Sequence, residues 1–75
     1  MKIPDEIKKV MSPLGLNFAQ LVKEDGRFLF FSLGLHDDRD NVIPTGLPFI
    51  VRLDSQSRAV YTLTPEEGLR LTKTL

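Results

Sequence analysis

The densest group of side chains able to do chemistry runs from His36 through Asp37, Asp38 and Asp40 to Asn41. Oxygen donors at alternating positions, Asp38 and Asp40, are what a hard divalent cation would require. A calcium-binding loop also needs a third ligand, a glycine at its sharp turn and a distal bidentate glutamate. Val42-Ile43-Pro44 stands where those would have to begin. The acids suit a solvated connection instead, in which Asp side chains bond to nearby backbone and shape turns. As a catalytic pair, His36 and Asp37 would need a nucleophile or a metal, together with a pocket. The chain has a single His, no Cys and no serine in an elbow context. No catalytic, cofactor-binding or metal-binding residue is expected, and the chain is read as not an enzyme.

Two other groups invite a chemical reading. Glu66 and Glu67 could form a carboxylate pair, but neighbours on a helix point about 100° apart and do not converge. Their position at a helix start, where the backbone dipole favours negative charge, accounts for them better. Phe28, Phe30 and Phe31 resemble the aromatic platforms on which RNA-binding sheets stack bases. The accompanying glycine-and-basic pattern is missing, and Lys23 and Arg27 are offset by Glu24 and Asp25. Ten basic residues against ten acidic ones give no net charge. A nucleic-acid binder generally needs a positive field, so that class is disfavoured.

Size and composition set the frame around these groups. A chain of 75 residues holds one domain, spanning 1–75. So short a chain buries only about 60% of the surface it exposes when unfolded, and small domains commonly compensate with disulfides, metals or oligomerisation. Without cysteine, disulfides and thiolate zinc sites are excluded, which leaves oligomerisation. No apolar run approaches the roughly 20 residues of a membrane span. Met1-Lys2-Ile3-Pro4-Asp5 lacks the apolar core of a signal peptide, so a cytoplasmic location is expected.

The elements that must position these residues can be read from periodicity. Ile3, Ile7, Val10, Met11 and Leu14 lie on one helical stripe. Pro4 suits the first turn, and Pro13 disfavours helical geometry at Ser12, so this helix is expected to end near Met11. Asp25-Gly26, between two β-rich runs, predicts a type I′ hairpin turn pairing Glu24 with Arg27 and Val22 with Leu29. That register gathers Phe18, Val22, Leu29, Phe31 and Leu33 on a core face. Leu21, Phe28 and Phe30 fall on the other.

Ile43-Pro44-Thr45-Gly46 reads as a β-turn and Pro48 as a strand beginning or edge. Phe49–Asp54 and Arg58–Leu63 form a second hairpin. Placing Phe49, Val51, Leu53, Ala59, Tyr61 and Leu63 on one face requires a three- or five-residue loop. Thr64-Pro65-Glu66-Glu67 then carries the signature of a capped helix start. The helix it opens is weak, since Gly68 costs roughly 1 kcal/mol against Ala and only Leu69, Leu71 and Leu75 can pack.

The expected fold is therefore α+β: a four-stranded antiparallel sheet of two hairpins, flanked by a short N-terminal and a short C-terminal helix. A simple meander is the expected strand order. The apolar surface left on the second face is larger than a monomer of this size should expose. Either a terminal helix covers it, or Leu21, Phe28 and Phe30 are interface residues. The leading functional expectation is a non-enzymatic protein-interaction module, a homodimer through this face or a strand edge. The alternative is a monomeric accessory domain that binds a peptide or larger protein by strand addition.

Overall fold

The computed structural model describes residues 3–39, 41–43 and 49–73. In chain order these form α1 (Asp5–Leu14), β1 (Phe18–Asp25), β2 (Phe28–His36), β3 (Val42–Ile43), β4 (Phe49–Asp54), β5 (Val60–Thr62) and α2 (Pro65–Lys73). The main sheet is an antiparallel meander in the order β1-β2-β4-β5, and the short β3 pairs with the far end of β2. The α+β class, the flanking helices and the meander agree with the sequence reading. Residues 44–48, and with them the expected turn after Ile43 and the placement of Pro48, lie outside the described residues.

Helix α1 runs past the boundary that Pro13 suggested. A proline in the last turn forfeits one backbone hydrogen bond, and here the helix end is secured by other means. Gly15 adopts the left-handed conformation at φ 69°. Its N–H donates to the Ser12 carbonyl, and the Leu16 N–H donates to the Met11 carbonyl. This pair of bonds is the Schellman motif, which satisfies carbonyls that a helix end otherwise leaves open. Leu14, counted in the apolar stripe, is 52% exposed, while Ile7 and Met11 are buried.

The first hairpin departs from its expected register in two steps. Asp25 pairs with Phe28, so the two loop residues are Gly26 and Arg27 rather than Asp25 and Gly26. Gly26 is left-handed at φ 59° and Arg27 is not, the pattern of a turn with glycine at its first central position. A β-bulge at Val22 then shifts the pairing again, so that Lys23 opposes Phe30 but Leu21 opposes Phe31. The extra residue turns β1 over. Ala19 and Leu21 face the core, whereas Phe18 and Val22 had been expected there.

The second hairpin closes with a four-residue loop, Ser55–Arg58, in place of three or five. The Arg58 N–H donates to the Asp54 carbonyl and the Asp54 N–H to the Ala59 carbonyl, with Arg58 left-handed at φ 62°. An even loop shifts the pairing by one. Val60 opposes Leu53, Tyr61 opposes Arg52 and Thr62 opposes Val51. Tyr61 and Leu63 thereby leave the core face.

Three layers result. On the first face, Ile7 and Met11 of α1 pack with Phe31, Leu33, Val51 and Leu53, with Leu21, Leu29, Phe49 and Val60 around them. Phe31 is 1% exposed, and burying such a side chain contributes about 1.5–3 kcal/mol. α2 lies on the second face, packed against β4. Gly68 is buried in this helix. Ile50, which alternates with Val51, is buried on this side.

Candidate functional site

The second face carries the residues with most to offer a ligand. Alternation along β2 places Phe28 and Phe30 there, β4 contributes Ile50 and Arg52, and Tyr61 comes from the edge strand β5. The Arg52 guanidinium carbon lies 4.7 Å from the centre of the Phe28 ring and 4.9 Å from that of Tyr61. A cation over an aromatic face is attracted by the ring quadrupole, and more strongly as water is removed. Arg27, from the hairpin turn, lies 5.1 Å from the Phe28 ring. Phe28 and Phe30 remain half-buried and Tyr61 is 49% exposed.

Beside this strip α2 and the sheet enclose an open groove of about 330 Å3, lined by Phe30, Arg52, Leu63, Glu67, Arg70 and Leu71. Its lining mixes three apolar side chains, Phe30, Leu63 and Leu71, with three charged ones. The Glu67 carboxylate accepts the Thr64 N–H at 3.0 Å, and the Glu67 N–H donates to the Thr64 hydroxyl at 3.2 Å. This reciprocal capping box is the helix start expected from Thr64-Pro65-Glu66-Glu67. The Thr64 N–H and hydroxyl hold the Glu67 carboxyl below its ordinary pKa, with Arg70 and Arg52 adding their charge and burial opposing. Glu66 lies 4.0 Å from Arg70 across one helical turn. The two glutamates do not form a carboxylate pair.

The polar cluster after β2 is built as a turn. Asp37 accepts the N–H groups of Arg39 and Asn41 at 2.8 and 3.0 Å. Those two bonds lower its pKa. Asp38 is exposed, and Asp40 lies outside the described residues. Asn17 braces the strand leading into this turn: its side-chain amide donates to the His36 carbonyl and accepts the His36 N–H. The His36 ring meets Phe18 edge-on, with centroids 5.9 Å apart. Among the described residues no group of His, Asp and Glu is arranged to hold a metal ion.

At the opposite end of β2 the two hairpin loops are laced together. The Arg27 carbonyl accepts the Ser55 N–H at 2.8 Å, and the Arg27 side chain reaches Asp54 at 3.3 Å and Gln56 at 3.2 Å. Asp54 is buried and accepts the N–H groups of Gln56 and Ser57. The Gln56 N–H is the main reason its carboxyl sits below the usual range; Ser57 and Arg27 assist and burial opposes.

The three interface candidates are thus divided. Phe28 and Phe30 share the second face, but the bulge at Val22 places Leu21 against Phe31 in the core. Arg52, Tyr61, Leu63, Arg70 and Leu71 were not singled out, because an odd loop between β4 and β5 would have put Tyr61 and Leu63 in the core. The available signal was Asp54 followed by Ser-Gln-Ser, an acid placed to bond forward into a turn. Comparison of the chain with protein-family models, curated proteins and solved structures returned no match.

Proposed function

We propose that this chain is a non-enzymatic protein-interaction module that docks through the second face of its sheet. The observation that carries the reading is the continuous strip Phe28–Arg52–Tyr61, with Phe30 beside it, left partly open next to the α2 groove. Aromatic and arginine side chains are the types that dominate binding energy when a partner covers them. The face supports docking better than the edges do. β1 carries a bulge and a lysine, two devices that discourage strand addition, and β5 has only three residues.

Self-association through the same face is the second reading, favoured by the absence of net charge, which removes the repulsion between copies. Light scattering over about a hundredfold range of concentration tests it by mass action. A mass that doubles in the parent and stays monomeric in Tyr61→Glu supports the self-associating form. The wider reading fails if the parent remains monomeric and Tyr61→Glu retains the same displayed peptides as the parent.

A further inference from the structure

We infer that the occupant of the α2 groove is a segment of another protein that presents a carboxylate beside an apolar side chain. The inference rests on the docking role proposed for this face and names the chemistry of the partner. Phe30, Leu63 and Leu71 give the groove apolar lining, and Arg52 and Arg70 supply two cations to it. The neighbouring carboxylates are engaged: Glu67 accepts the Thr64 N–H, and Glu66 makes a solvent-exposed contact with Arg70 at 4.0 Å, which water weakens. Arg52 lies over Phe28 and Tyr61; Glu67 feels its charge, but no carboxylate comes within 4.0 Å of it among the described residues. Its Nε is buried without a hydrogen-bond partner. A guanidinium fixed in place by two rings, with donor capacity unspent, suits the planar fork of a carboxylate.

Size and ring geometry argue against other occupants. About 330 Å3 is at the lower end of ligand-sized cavities and fits a short side-chain motif rather than a broad subunit contact. Base stacking would need open ring faces. Phe28 instead carries two guanidinium groups and Tyr61 one.

The test is selection from a displayed library of random dodecapeptides on the full chain, with Tyr61→Glu, Arg70→Gln and Arg52→Gln in parallel. Arg70 is 79% exposed in its side chain, so its replacement leaves the fold intact even if Arg52→Gln perturbs it. Retained peptides should be enriched in Asp or Glu next to Leu, Ile or Phe. Each Arg→Gln change should weaken a selected peptide about tenfold, the usual scale for losing one charge-assisted hydrogen bond. Retained peptides without acids that are lost in Tyr61→Glu would overturn the carboxylate inference and keep the docking face. Peptides indifferent to all three variants would overturn both. An empty selection, a dimer sealed by this face, or salt-dependent retention of oligouridine in place of peptide would each overturn the inference.

Discussion

Gly26 occupies a backbone conformation that only glycine adopts without strain, at φ 59° in the two-residue turn of the first hairpin. A Cβ built there meets nothing within 4 Å, so the restriction is in the backbone and not in the packing. Gly26→Val should therefore lower stability by more than about 1 kcal/mol. Thermal melts that match the parent would contradict the turn geometry. The glycine itself was legible in the sequence, since Asp-Gly between two β-rich runs marks a turn. Which residues stand at its centre was not, because Asp25-Gly26 and Gly26-Arg27 both place a glycine where positive φ is needed. The bulge at Val22 left no mark either. No glycine or proline stands at that position, and its effect appears only when Leu21 and Ala19 are seen packed against the core cluster. Arg52 escaped notice for a similar reason, since its role depends on a tyrosine that alternation alone assigned to the core.

At the scale of elements, α2 depends on its first turn. Its buried contribution is small: Gly68 offers no side chain and Leu69 is 39% exposed. The Thr64–Glu67 capping box is therefore a large part of what fixes the helix. Thr64→Ala should cost about 1 kcal/mol, measured by denaturant unfolding. Acid should act on the same turn. The folded-state pKa of Glu67 is lowered, so its contribution is complete above the unfolded value of about 4.3 and is lost as pH falls through the folded value. Acid titration of α2 helicity should show less loss in Glu67→Gln, which keeps a side-chain acceptor without the ionisation; equal loss in the two proteins would remove Glu67 as the cause. This helix start was the most legible element in the chain, because capping is local chemistry spaced over four residues. The end of α1 was harder. Pro13 argued for an earlier stop, and the bonds made by Gly15 and Leu16 outweighed it.

At the scale of the molecule, the two sheet faces have different tolerances. Phe31 is enclosed by α1 and the central strands, so Phe31→Glu would bury an unpaired carboxylate at a cost of several kcal/mol, on the order of the whole stability of a small domain. Phe30 stands opposite Lys23 and Arg52 on the half-open face. Phe30→Glu should stay folded, because the new carboxylate meets cations and water, and it should compete with a docking partner for Arg52. Circular dichroism of the two variants decides the matter: equal unfolding would mean that the second face is as closed as the first. The meander was legible in advance because neighbours in the chain are neighbours in the sheet. Which side chains face which helix was not, since it follows from the bulge in the first hairpin and the loop parity of the second.

One contact does not share that local character. Arg58 holds Glu6 through two hydrogen bonds, at 2.7 and 3.2 Å, across a separation of 52 residues. The hairpins close small loops and assemble early, whereas this clasp requires α1 to dock on a sheet whose last loop is already formed. The expected place of such a contact is the native side of the folding barrier. Arg58→Gln should therefore speed unfolding modestly and leave the refolding rate nearly unchanged, as stopped-flow chevrons would show; slowed refolding would contradict it.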